Sequence, residues 1–187
     1  MKFTWQNGTG LAATLCGVGL FIGLGGSLLA QKGVNADTPT PSDMKFAKEA
    51  AMGGMMEVEL GRVAVQKASS EKVKQFGQRM VDDHSKAGDE LKRIASKDNI
   101  TLPTELDARH KATINRYSNM SGTAFDRAYM QDMVKDHQSD VADFEKEANN
   151  GTSSDLKNWA NSTLPTLRDH LRMAKETDTS LGATSKR

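Results

Sequence analysis

The chain has 187 residues, 25 basic and 24 acidic side chains, and a formal net charge of +1. This length suffices for one ordinary domain with a hydrophobic core. The near-neutral charge, without a basic face or a basic patch interleaved with aromatic residues, excludes a nucleic-acid-binding protein. No Ser-His-Asp order, glycine-rich phosphate loop or cysteine motif indicates hydrolytic or nucleotide chemistry.

Residues 1–36 have the pattern of a secretory signal peptide. Lys2 precedes an apolar stretch over residues 11–30, and Val34-Asn35-Ala36 has the small or apolar −3 and −1 positions of a signal peptidase site. We therefore predict an exported protein of the periplasm or cell envelope. The alternative is an uncleaved inner-membrane anchor over residues 11–30, since about 20 apolar residues can span a bilayer.

The only cysteine, Cys16, lies within this apolar stretch. A cleaved chain would therefore have no disulfide, no thiol nucleophile and no thiolate metal ligand, so its stability must come from packing. Residues 37–42 contain two prolines and are predicted to form a short tether.

Helical spacing of apolar residues dominates residues 43–178, and no run alternates as a strand does. We expect four long helices and one short helix, over about residues 43–68, 70–98, 104–120, 123–149 and 154–178, with a first cap at Ser42-Asp43 and a disordered tail over residues 179–187. The short helix lies between the second and third long helices. A crossover of this size predicts an all-α, ferritin-like four-helix bundle, although an up-down-up-down bundle remains an alternative.

Four polar residues lie at the centre of apolar helix faces, each near the midpoint of a different long helix: Glu57, His84, His137 and His170. Antiparallel packing keeps helix midpoints together, so these side chains should share one layer of the bundle. Small residues near the carboxylate, especially Gly53, Gly54 and Gly61, would leave space for a ligand or for close helix approach.

Imidazole nitrogens with a carboxylate suit one transition metal ion, such as zinc, iron, manganese or copper. The alternative is a metal-free polar layer in which Glu57 accepts hydrogen bonds from the histidines. An aspartate precedes each histidine, and Asp83, Asp136 and Asp169 are either solvated or salt-bridged, or support the ligands from a neighbouring helix.

Ferritin-like di-iron enzymes place a glutamate three residues before each metal-binding histidine. Here those positions hold Val81, Val134 and Leu167. The missing carboxylates argue against a dinuclear site and leave a mononuclear site or a metal-free layer.

The sequence resembles a family of exported bacterial proteins of unknown function with a ferritin-like four-helix fold, often labelled predicted outer-membrane proteins. The resemblance rests on Phe46, residues 57–61, 73–76, 80–84 and 125–130, His137, and residues 164–171. It implies export and the fold, and it carries no activity. Three hypotheses for function remain: a helical bundle that binds a metal or small ligand, with a role in envelope stress; a mononuclear metal redox enzyme acting on a reactive oxygen species; and a structural or interaction bundle.

Overall fold

A computed structural model describes residues 37–184 of the chain. Five helices and no strand occur in that range: α1 (Pro41–Lys67), α2 (Glu71–Lys97), α3 (Ala108–Ser118), α4 (Gly122–Asn150) and α5 (Ser154–Thr184). The predicted signal peptide, its cleavage site and Cys16 lie outside the described residues. Among the helices of residues 37–184, none is long and apolar enough to cross a membrane.

The first helix begins two residues earlier than the predicted Ser42-Asp43 cap. Thr40 is the N-cap: its hydroxyl accepts a hydrogen bond from the Asp43 amide, and the Asp43 carboxylate accepts one from the Thr40 amide at 2.6 Å. This capping box, with Pro41 at the first helical position, stabilises the start of α1. The last two residues of the predicted tether, 41 and 42, therefore belong to α1.

Two other predicted boundaries differ from the structure. The short helix starts at Ala108 rather than near residue 104, because Asp107 caps it by accepting a hydrogen bond from the His110 amide. The last helix continues to Thr184, so the predicted disordered tail is helical over residues 179–184. The partly buried Leu181 packs against the core, which favours continuing the helix.

The four long helices form two hairpins, α1 with α2 and α4 with α5. The hairpins meet where α1 packs on α4 and α2 packs on α5, while α3 lies against α1. An all-α bundle of four long helices is thus present, as the apolar periodicity predicted.

The core divides into two clusters along the bundle. One, here called the tyrosine half, contains Leu60, Ala64, Ala68, Val73, Phe76, Met80, Tyr117, Phe125, Tyr129, Met130, Met133 and Ala174. The other, here called the tryptophan half, contains Ala47, Leu91, Ala95, Ile100, Phe144, Ala148, Leu156, Trp159, Ala160, Leu164 and Leu167. Along the chain, α2 and α4 run from the tyrosine half to the tryptophan half, and α1 and α5 run the other way. The two middle long helices therefore point in the same direction.

Candidate metal centre

The four polar residues of the apolar faces come together between the two halves of the core. Their exposed fractions are 4% for Glu57, 8% for His84, and 0% for both His137 and His170. The three imidazole rings surround one point, with centroid separations of 5.7 Å, 5.3 Å and 5.3 Å. Buried polar groups are costly unless they have partners, so the contacts of each ring decide what this layer can do.

Each histidine ring binds an acceptor through one of its two nitrogens. His84 Nδ1 lies 3.0 Å from Glu57 Oε2, and His170 Nε2 lies 2.8 Å from Asp83 Oδ2. His137 Nδ1 lies 2.9 Å from the Met133 carbonyl oxygen, one turn earlier on α4. A neutral ring that donates from one nitrogen carries a lone pair on the other, so these contacts determine the tautomer of each ring in its neutral form.

The second nitrogen of every ring has no hydrogen-bond partner among the described residues. These atoms are His84 Nε2, His137 Nε2 and His170 Nδ1, and each is buried. The three histidines offer ligand nitrogens that lie within 4.8 Å of one another. Histidines that ligate a metal ordinarily donate their other N–H to a carboxylate or carbonyl, which is the pattern found here.

The charges of the layer divide between one carboxylate and three rings. Burial opposes ionisation of Glu57, but the contact with His84 outweighs it and lowers the pKa of Glu57 to about 2. Burial likewise opposes protonation of His84, yet the Glu57 charge raises the pKa of His84. Burial lowers the pKa of His137, and it lowers that of His170 to about 4. Glu57 is therefore the anion of the layer, while His137 and His170 are neutral near pH 7.

The three aspartates that precede the histidines have different surroundings. The Asp83 carboxylate bridges His170 and Arg79, whose Nε lies 2.5 Å away. Asp169 pairs instead with Arg172 at 2.6 Å on the exposed side of α5. Asp136 is half-buried, and burial together with the Glu57 charge raises its pKa to about 6. Of the three, Asp83 supports a ring of the layer across a helix interface.

Asp140 is a further member of the site that the sequence reasoning did not single out. Glu57, His137 and Asp140 form a second triplet whose ligand atoms lie within 4.8 Å of one another. Asp140 follows His137 by three residues, and that spacing places two side chains on the same helix face. Burial and the Glu57 charge raise the pKa of Asp140 well above its ordinary value.

Two cavities reach the layer from the outside. The larger, about 970 Å³, is bordered by Glu57, His84 and Asp140 and extends along the tryptophan half. The smaller, about 310 Å³, lies between α2 and α5 and is bordered by Asp83, His84 and His170. The layer is therefore bordered by cavities on two sides, while its unpartnered ring nitrogens are themselves buried.

Comparison with known proteins places the fold and the family. The crystal structure of a DUF305 fragment from Deinococcus radiodurans has a similar fold, with a TM-score of 0.65 and 13% sequence identity over 78% of this chain and 98% of that chain. No curated protein matches the sequence. The model of one family, the domain of unknown function DUF4142, matches residues 29–177, and the chain belongs to that family.

Proposed function

We propose that the protein binds one first-row transition metal ion through His84 Nε2, His137 Nε2 and His170 Nδ1. The observation that carries the proposal is the set of three buried ring nitrogens that lack partners while each opposite nitrogen is held by an acceptor. A metal ion would use all three lone pairs at once. A metal-free polar layer would leave them without partners, which costs free energy.

Glu57 and Asp83 would orient the ligands and balance the charge of a divalent ion. Glu57 Oε2 holds His84, whereas Glu57 Oε1 has no hydrogen-bond partner within the described part of the chain and lies 3.5 Å from His137 Nε2. That second oxygen is a candidate fourth donor. Asp140 could supply a further oxygen from the same side. Three imidazoles with one or two carboxylate oxygens suit zinc, iron, manganese or copper.

The setting we propose is a ferritin-like bundle in an exported protein. The shared direction of α2 and α4, with α1 packed on α4 and α2 on α5, supports that topology. The apolar stretch of residues 11–30 and the cleavage pattern at residues 34–36 support export to the periplasm or envelope. Such a compartment would give the metal site access to envelope solutes.

A second candidate function is metal-dependent redox catalysis on a small substrate. It is favoured by one observation, the cavity of about 970 Å³ that borders Glu57 and His84. Catalytic metal sites keep one coordination position open to water or substrate, whereas structural sites are closed. A cavity of this size beside Glu57 and His84 supports such an open position.

Metal content provides the direct test. Protein purified from the periplasm, and metal-free protein dialysed against each candidate ion, should contain about one metal ion per chain by elemental analysis. The His84→Gln/His137→Gln double variant should lose it. The matched control is His110→Gln, because His110 lies on α3 and contacts Asp107. Less than about 0.1 ion per chain in the unaltered protein under every loading condition would overturn the proposal.

A further inference from the structure

We infer that the larger cavity is a binding site for a small organic cation, an ammonium group attached to an apolar body. The cavity shares Glu57 and His84 with the proposed metal centre, but its other walls come from the tryptophan half. The inference does not depend on a bound metal ion. It rests on the space in the cavity, on its aromatic wall and on its carboxyl groups.

The cavity exists because α1 and α2 carry glycines, which lack side chains, where they border it. Gly53, Gly54 and Gly88 border it. A Cβ added at Gly53 or Gly88 would meet no atom within 4 Å, and one at Gly54 would meet only His84 Nδ1, at 3.9 Å. The helices could therefore carry larger residues here without a clash. A volume of about 970 Å³ lies within the range of sites for small organic ligands.

Aromatic rings form the wall farther from the histidines. Phe46, Phe144 and Trp159 contact one another, with centroid separations of 5.0 Å, 5.9 Å and 5.1 Å. Trp159 is 5% exposed, and its indole Nε1 is buried without a hydrogen-bond partner among the described residues. This wall suits an apolar body, and the indole N–H could donate to an oxygen of the ligand.

Carboxyl groups line the cavity beside the aromatic rings. Asp140, Asp143 and Glu147 lie on the same face of α4 as Phe144, and Glu57 lies on α1. Glu57 Oε1 and Glu147 Oε1 are buried and lack hydrogen-bond partners in the described part of the chain.

The described basic residues of the cavity form no ion pairs with Asp140, Asp143 or Glu147. Four of them form ion pairs with other acidic residues: Lys45 with Glu49, Arg62 with Glu59, Lys92 with Asp89, and Lys111 with Glu105. Lys146 is the remaining lysine that borders the cavity. No described lysine or arginine forms an ion pair with Asp140, Asp143 or Glu147. The oxygens of these carboxyl groups are therefore available as acceptors for an ammonium donor.

An organic ammonium ion would interact with the carboxyl groups and with the aromatic wall at the same time. The ammonium group would donate to carboxylate oxygens in charge-assisted hydrogen bonds, and the aromatic rings would attract the cation and cover its apolar body. An anion of the same shape would face carboxyl groups and find no basic partner that is not already paired, apart from Lys146. A neutral analogue would lose the charge-assisted bonds, and a bare metal ion would leave the aromatic wall unused.

Trp159 provides a fluorescence signal for the test. The chain has two tryptophans, so Trp5→Phe leaves Trp159 as the sole indole. Metal-free protein in chelator would be titrated with 2-phenylethylammonium and hexylammonium, with neutral 2-phenylethanol, and with anionic phenylacetate. We expect a saturable change with at least one ammonium ion and at least about tenfold weaker binding of the alcohol and the carboxylate.

Two variants make the test specific to the cavity. Gly53→Leu should fill the cavity and abolish the response, whereas Gly182→Leu, on α5 where an added Cβ also meets no atom within 4 Å, should retain it. Asp140→Asn/Asp143→Asn should weaken ammonium binding at least about tenfold while leaving 2-phenylethanol unaffected.

Three results would overturn the inference: no saturable response to either ammonium ion, equal affinity for the ammonium ion and its alcohol, or a response that survives Gly53→Leu. Circular dichroism spectra of all variants would establish that the helices are intact. Because the chelator removes any metal ion, these outcomes are independent of the metal-content measurement.

Discussion

The two halves of the bundle use glycine in opposite ways. In the tyrosine half, α1 and α2 approach so closely that a Cβ at Gly61 would lie 2.5 Å from the Gly77 carbonyl oxygen. In the tryptophan half, a Cβ at Gly53, two turns earlier on α1, would meet no atom within 4 Å. The same residue type thus closes one half of the core and opens the other. The histidine layer lies at the boundary between them.

The two halves also differ in whether their buried polar atoms have hydrogen-bond partners. In the tyrosine half, the Tyr117 hydroxyl lies 2.5 Å from Asp132 Oδ2 and 3.1 Å from the Ala128 carbonyl oxygen. In the tryptophan half, Trp159 Nε1 and Glu147 Oε1 are buried without a hydrogen-bond partner in residues 37–184. The Tyr129 hydroxyl, likewise buried without a partner in that range, is the exception in the tyrosine half. If the proposed sites exist, the closely packed half would act as a scaffold for the half that contains the cavity.

The largest expected effect comes from the ion at the boundary. Zinc at about 1,000 times its dissociation constant should raise the free energy of unfolding by about 4.1 kcal/mol, because the proposed site exists only in the folded chain. Thermal melts in zinc and in chelator measure the shift. His137→Gln should abolish the difference, and His110→Gln should retain it. Identical midpoints in zinc and chelator would mean that zinc does not join the two halves.

The next effect tests the closed half directly. Gly61→Ala should lower the free energy of unfolding by about 1–3 kcal/mol, because the new Cβ overlaps a backbone oxygen that cannot move without separating α1 from α2. Urea unfolding followed by circular dichroism measures the change. An unchanged unfolding midpoint would show that the helices separate easily at this point and that this half is not rigid.

Glu147 makes the open half sensitive to pH. Burial and the neighbouring Asp43 carboxylate raise the pKa of Glu147 to about 7, above its ordinary value of 4.5. The stabilisation that comes from protonated Glu147 is therefore fully present below about pH 4.5 and is lost as the pH rises through about 7. With screening by nearby solvent, the change in the free energy of unfolding is on the order of 1–2 kcal/mol. Glu147→Gln mimics the protonated form and should flatten this part of the stability profile.

Chemical unfolding of metal-free protein between pH 4 and pH 8 measures the effect of Glu147→Gln as a difference from the unaltered chain. Glu145→Gln is the matched control, since Glu145 lies on the same helix and pairs with Arg168 at the surface. Equal pH slopes for Glu147→Gln and the unaltered protein would contradict the prediction.

The smallest effect has the opposite sign to that of Gly61→Ala. Gly53→Ala should raise the free energy of unfolding by about 0.5–1 kcal/mol, because alanine has the higher helix propensity and the added Cβ meets no atom within 4 Å. Both substitutions lie in the interior of α1 and change the helix propensity equally. The difference between them therefore measures the effect of the contacts made by the added Cβ. Destabilisation by Gly53→Ala would mean that the added Cβ meets neighbouring atoms at this position.

Apolar periodicity predicted the helices and the single layer of Glu57 and the histidines. Both depend only on the spacing of residues within each helix, which the sequence contains. It could not separate the roles of the glycines near Glu57, since Gly53 and Gly61 differ only in what faces them from another helix. The contact of Asp83 with His170 likewise depends on how far α2 is rotated toward α5. Asp140 was within reach of the sequence, because it follows His137 by three residues.

Asp83 and His84 are neighbours in the chain, yet each serves a different ring of the layer. Asp83 orients His170 of the other hairpin, while His84 contributes its own nitrogen. A slip of α2 by one residue along its axis, about 1.5 Å, would remove both contributions together. The layer is therefore complete only when the two hairpins have docked in correct register, so ion uptake would report final assembly of the bundle rather than formation of its helices.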